Sequence, residues 1–124
     1  MADEHMKKDE ELSPELRAVA RKGGTEPAFT GKYWNEHEEG MYHCAICGTE
    51  LFSSETKFDS STGWPSFTNP VNLEHIELRK DTNYGMERTE VICETCGAHL
   101  GHVFDENGGK RYCINSICLD LKKK

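Results

Sequence analysis

The first regular pattern along the chain is helical. Leu16, Val19 and Ala20 recur at a spacing that places them on one helix face. Ser13 stands just ahead as an N-cap, Pro14 fits the first helical position, and Glu15 suits the positive end of the helix dipole. Gly23-Gly24 closes the pattern. Residues 25–40 show no period, and Phe29, Tyr33 and Trp34 are the side chains that could pin this stretch to a core. From Met41 onward the pattern changes to short apolar runs and period-two alternation, which predicts strands over 41–44, 71–78, 85–92, 100–104 and 110–121. In one of them Met86, Arg88, Glu90 and Ile92 alternate with Glu87, Thr89, Val91 and Cys93. Residues 104–110 look like a hairpin loop. The expected architecture is mainly β with a short N-terminal helix. One domain spans 12–121, after a disordered charged lead over 1–11 and before a basic tail, Lys122-Lys123-Lys124.

Composition makes that core a thin one. Only 35% of the 124 residues are hydrophobic and 30% are charged, and a chain this polar often needs a metal or disulfides to hold it. The net charge of −7 and a pI near 5.3 argue against nucleic acid or an anionic membrane as partner. No apolar run approaches a membrane span, and the N-terminus lacks the apolar core of a signal peptide, so the expected location is the cytoplasm. Thiols stay reduced there. The six cysteines are then better explained as metal ligands and catalytic groups than as a disulfide framework.

Four of the six form two copies of one unit, Cys44-Ala45-Ile46-Cys47-Gly48 and Cys93-Glu94-Thr95-Cys96-Gly97. Two cysteines separated by two residues can direct both sulfurs at one ion, and the glycine after them permits the backbone turn. Together the two knuckles would complete a tetrahedral zinc site of four thiolates. Such a site is closed to water and substrate, so its role would be structural. The 45 residues between Cys47 and Cys93 mean that the ion would join distant segments. Two disulfides or a redox pair are the alternatives. His5, His37, His43 and His75 read as ordinary surface or packing histidines.

A second group of residues is chemically richer. After the turn at Gly108-Gly109, strand alternation would put Arg111, Cys113 and Asn115 on one face. A cation beside a thiol favours the nucleophilic thiolate, yet free cysteine is also among the most buried residue types, so both readings stay open here. His99-Leu100-Gly101-His102 lies just upstream, and the hairpin would bring it alongside. Histidine can supply a proton near neutral pH, or merely satisfy hydrogen bonds in a core. Gly63-Trp64-Pro65-Ser66-Phe67 is a rigid turn whose tryptophan could wall a pocket for a small apolar group.

These stretches occur in an order that resembles the B-type methionine sulfoxide reductases. The resemblance runs over Cys-x-x-Cys-Gly, Phe58-Asp59-Ser60, Gly63-Trp64-Pro65-Ser66-Phe67, the second Cys-x-x-Cys-Gly, His99-Leu100-Gly101-His102-Val103-Phe104 and Arg111-Tyr112-Cys113-Ile114-Asn115-Ser116. Gly24-Thr25-Glu26-Pro27-Ala28-Phe29 and Gly31-Lys32-Tyr33 also look like that family. The resemblance implies antiparallel sheets in a sandwich or barrel-like arrangement, with a structural zinc away from the active site. It implies reduction of the R epimer of methionine sulfoxide in proteins or peptides, drawing on thioredoxin or another thiol, and the chain is expected to act as a monomer. By the same resemblance Cys113 matches the nucleophile. Trp64, His99, His102 and Asn115 match the substrate pocket, and Arg111 matches a residue that assists the thiolate.

Two departures stand out. Many members carry a resolving cysteine two positions before this tryptophan, where this chain has Thr62. Cys118 is the only other free thiol. Along a continuous strand it would lie ~17 Å from Cys113 and on the opposite face, whereas a disulfide needs Cα atoms within ~7 Å. The acidic pair Asp105-Glu106 also differs from the family's loop, and a supporting role for either is open. Outside the resemblance, the competing readings are a zinc-ribbon binding module and a zinc-folded scaffold with an inert Cys113.

Overall fold

The computed structural model describes residues 7–82, 85, 87–106 and 108–123. Ser13 starts the helix as its sequence predicts. Its Oγ accepts the Leu16 N–H at 3.2 Å, and α1 runs Pro14–Ala20 with Leu16, Val19 and Ala20 buried. Gly24 N–H then donates to the Ala18 carbonyl and ends the turn.

Nine strands follow: β1 Gly40–Cys44, β2 Glu50–Ser53, β3 Lys57–Phe58, β4 Ser66–Phe67, β5 Ile76–Asp81, β6 Arg88–Cys93, β7 His99–Glu106, β8 Gly109–Ile114 and β9 Leu119–Lys123. They form two antiparallel sheets, three strands ordered β2-β1-β9 and six ordered β3-β4-β8-β7-β6-β5. Aromatic rings join the sheets. Phe52 of β2 stacks on Phe67 of β4 at 4.5 Å between centroids, Tyr42 of β1 meets Phe67 edge-on at 5.2 Å, and Phe52 also faces Tyr112 of β8. Each such ring buries a large apolar area in a chain with little to spare. Leu51, Leu100, Ile114 and Val91 fill the remaining core. Among the described residues no helix is long and apolar enough to cross a membrane.

Several expected boundaries shift. The strand expected over 110–121 breaks after Ile114 into a 3₁₀ turn, Ser116–Cys118, before β9. The loop expected over 104–110 is shorter: β7 and β8 pair out to Glu106 and Gly109, with Asn107 outside the described residues. The strand expected from Val71 begins at Ile76, after a turn over Leu73–His75. In the alternating stretch 85–92, Met86 lies outside the described residues, and β6 begins at Arg88. The strands β2, β3 and β4 were not anticipated, because two to four residues are too few to display a period.

The chain ends differ too. Of the expected lead, residues 1–6, with His5, lie outside the described residues. Lys7 N–H, however, donates to the Ile46 carbonyl at 2.9 Å, and Asp9–Glu11 forms a 3₁₀ turn. Of the expected tail, Lys122 and Lys123 extend β9 against Met41 and Gly40 with exposed side chains, and Lys124 lies outside the described residues.

Candidate active site and metal centre

The two knuckles sit at the ends of strands. β1 ends at Cys44 and β6 at Cys93, and each chain then turns through the same loop: Gly48 N–H donates to the Cys44 carbonyl and Gly97 N–H to the Cys93 carbonyl. Both glycines have positive φ, +79° and +76°, which a side chain would strain. The four sulfurs lie within 4.8 Å of one another, with Cys44–Cys96 and Cys47–Cys93 each at 3.6 Å. A tetrahedral zinc thiolate site, with bonds near 2.3 Å, sets its sulfurs roughly 3.8 Å apart. The donor set therefore fits zinc in both chemistry and spacing. Hydrogen bonding between the thiols pushes Cys44 up and holds Cys47 down. Arg21, at the end of α1, donates to the Cys96 carbonyl at 2.7 Å and ties the helix to the second knuckle. His43 stays outside this group, with Nδ1 3.2 Å from the Met41 carbonyl.

Cys113 lies elsewhere, in the middle of the larger sheet. β8 runs between β4 and β7, and Cys113 faces Ser66 on one side and His102 on the other in the ladder. It is half-buried. Burial pushes its thiol above the ordinary value; the Arg111 charge, then hydrogen bonding from Thr62 and Arg111, pulls the other way. Arg111 is itself fixed. Its Nε and Nη2 donate to the two oxygens of Glu106, both at 2.9 Å, and its guanidinium sits 4.7 Å from the centre of the Phe104 ring. That bidentate pair holds Glu106 below the usual carboxylate range. One of the two acidic residues of the loop thus acquires a role in orienting Arg111, while Asp105 pairs with Lys110.

Both histidines are aimed by carboxylates. His99 Nδ1 is 2.5 Å from Glu90 Oε2, and His102 Nε2 is 2.8 Å from Asp81 Oδ2. The rings meet edge-on at 5.3 Å, and their residues are only 5% and 8% exposed. His99 Nε2 is buried with no hydrogen-bond partner among the described residues. Burial lowers the His102 imidazole below its ordinary value, partly offset by the hydrogen bond to Asp81.

Asn115, its backbone still extended, stands just past the end of the strand whose alternation would set it beside Arg111 and Cys113. β8 ends one residue earlier, and the amide turns inward. Asn115 Oδ1 accepts the Glu26 N–H at 3.0 Å, and Nδ2 donates to the Leu100 carbonyl at 3.0 Å. Trp64 is half-buried, and its Nε1–H donates to the Glu26 carbonyl at 2.9 Å. Pro65 next to it accepts the Ile114 N–H, which docks the tryptophan turn on β8. Cys118 is sealed in the core at 2% exposure, its Sγ 3.4 Å from the His99 carbonyl, and burial pushes its thiol far up.

Glu26, Asp81 and Glu90 carry no sequence signal that marks them as partners of the site, and of the open pair Asp105-Glu106 it is Glu106 that reaches Arg111. Strand pairing sets Glu90 opposite His102, yet its carboxylate bonds His99 instead, so register alone would not have assigned that contact.

The SelR domain family model matches residues 12–123. The chain is 56% identical over 115 residues to the peptide methionine sulfoxide reductase MsrB of Acinetobacter baylyi, a match covering 90% of this chain and 83% of that protein. It is 54% identical over 116 residues to the peptide methionine sulfoxide reductase MsrB of Thioalkalivibrio sulfidiphilus, covering 91% of this chain and 85% of that protein.

Proposed function

The chain belongs to the SelR-domain family of B-type methionine sulfoxide reductases, and from that premise we propose that it reduces methionine R-sulfoxide in proteins or peptides with Cys113 as nucleophile. The observation that carries this reading is the setting of Cys113: a half-buried thiol served by Arg111 and Thr62, with His102 across the ladder. The Cys113 thiolate attacks the electrophilic sulfur of the sulfoxide. His99 or His102, directly or through water, protonates the oxygen, which is a poor leaving group until then. Two electrons pass to the substrate sulfur, the oxygen moves to Cys113, and methionine leaves a cysteine sulfenic acid behind. Trp64 walls the pocket around the ε-methyl group and so helps choose the epimer. Asn115 acts from beneath, through its bonds to Glu26 and Leu100.

A first reductant thiol condenses with the sulfenic acid to a mixed disulfide and water, and a second thiol releases Cys113. Thioredoxin or a small thiol supplies both. Thr62 cannot form a disulfide, and the burial of Cys118 disfavours it as resolver. The four clustered cysteines hold a structural zinc, which takes no part in turnover. The enzyme acts as a monomer in the reducing cytoplasm.

The test is a stereospecific assay on separated R and S sulfoxides with wild type and Cys113→Ser. Wild type should reduce only the R epimer and Cys113→Ser neither, with bound zinc and fold intact. Turnover retained by Cys113→Ser would refute the nucleophile.

A further inference from the structure

Glu26 is a buried carboxylate with no part in the chemistry proposed above. It is 9% exposed, and among the described residues no cation pairs with it. Its two oxygens accept consecutive backbone N–H groups, those of Ser116 and Ile117, both at 2.9 Å. These open the turn that follows β8, just past Cys113. The main chain of Glu26 is equally engaged: its N–H donates to Asn115 Oδ1 and its carbonyl accepts Trp64 Nε1–H. One residue therefore binds the end of the Cys113 strand, the Asn115 amide and the Trp64 indole. Gly31 closes over it, since a Cβ there would overlap Ser116 and the Glu26 carboxylate.

We propose that Glu26 is a positioning residue that fixes the Trp64 wall relative to the strand end carrying Cys113. This rests on the reading of Cys113 as nucleophile and Trp64 as substrate wall. The segment 25–39 belongs to no sheet, so no ladder sets its position. Two parallel N–H bonds to a carboxylate are strong and directional, and they take over that task. A glutamine would present an NH₂ to one of the two N–H donors and turn one bond into a repulsion. Small displacements between a substrate wall and a nucleophile are costly, about 10²-fold for 1 Å.

The charge of Glu26 has a separable effect. The groups that pair across from Cys113 or act on its thiol are Arg111 on its own strand, His102 on β7 with Asp81 behind it, Ser66 on β4, and Thr62 and Glu26 from the loops. Arg111 favours the thiolate and Glu26 opposes it. Loss of the Glu26 charge should therefore make Cys113 easier to ionise while the enzyme becomes worse.

Glu26→Gln, Glu26→Asp and Gly31→Ala, assayed on the R-sulfoxide, separate these effects. Glu26→Gln should raise KM about 10- to 100-fold with a smaller change in kcat, and should move the pH profile of Cys113 alkylation by iodoacetamide to lower pH. Glu26→Asp keeps the charge, so its alkylation profile should stay in place while KM rises less. Gly31→Ala should raise KM by displacing the carboxylate, with the charge retained. Wild-type KM in Glu26→Gln overturns the assignment, and so does a loss of activity with an unmoved alkylation profile and a matching fall in Tm, which would mean packing alone. If Glu26→Gln does not fold, wild-type KM in both other variants overturns it. A wild-type protein inactive on the R-sulfoxide sinks the functional reading instead, which keeps the two failures apart.

Discussion

Cys113 carries opposing influences on one sulfur. Burial outweighs Arg111 and Thr62, so the thiol sits above its ordinary value. With the group raised, the thiolate fraction at neutral pH is small and grows as pH rises. Alkylation of Cys113, and single-turnover reduction with it, should therefore speed up through the alkaline range. Arg111→Ala removes a charge-assisted contact of about 1.5–3 kcal/mol. Alkylation near pH 7 should slow roughly 10- to 100-fold, with the profile moved to still higher pH. An unmoved profile would show that Arg111 does not act on the thiol. The histidines yield a second prediction at this scale: Gln at the residue that donates the proton should cost about 10²- to 10⁴-fold in kcat. Wild-type kcat in both His99→Gln and His102→Gln would eliminate the histidine route. Legibility differed sharply by residue type. Cys113, Trp64, His99 and His102 are rare and stand in distinctive motifs. Glu26, Asp81 and Glu90 are three among 22 acidic residues, and only tertiary geometry picks them out, while Glu106 stood out in the sequence with its role open.

At the scale of elements, the decisive feature is where β8 stops. Alternation set Arg111 and Cys113 on one face, but the ladder ends at Ile114, one residue before Asn115. The 3₁₀ turn over Ser116–Cys118 curls the chain inward and buries Cys118 against the His99 carbonyl. The ~17 Å separation expected of a continuous strand therefore does not apply, although the core now closes off that thiol instead. Cys118→Ser should accordingly sustain repeated turnover with thioredoxin or dithiothreitol, within about twofold of wild type. Arrest after one turnover would make Cys118 the resolver. The helix was legible from its cap and its one apolar face. The three shortest strands were not, since β2, β3 and β4 owe their existence to cross-strand partners and to the stacking of Phe52 and Phe67.

In the whole molecule, two sheets share a core that the composition had marked as thin. The four-cysteine cluster joins the end of β1 in one sheet to the end of β6 in the other. Ligand binding energy there is folding energy. Cys44→Ser should lose zinc and lower Tm by more than about 10 °C, and an unchanged melting curve would refute a structural metal. The cluster was the most legible feature of the sequence, because its spacing encodes its geometry. The pairing of β1 with β9 was not legible, since nothing local links Gly40–Cys44 to the last strand. That pairing has a consequence for the order of synthesis. β1 leaves the ribosome early and can pair with β2 at once, but its other edge must wait until β9 emerges. An unpaired strand edge invites wrong pairing while it waits. All four cysteines of the cluster are made by residue 96, well before β9. A metal bound at that stage would anchor β1 to β6 while its sheet was still unfinished, and so guard the nascent chain as well as the folded one.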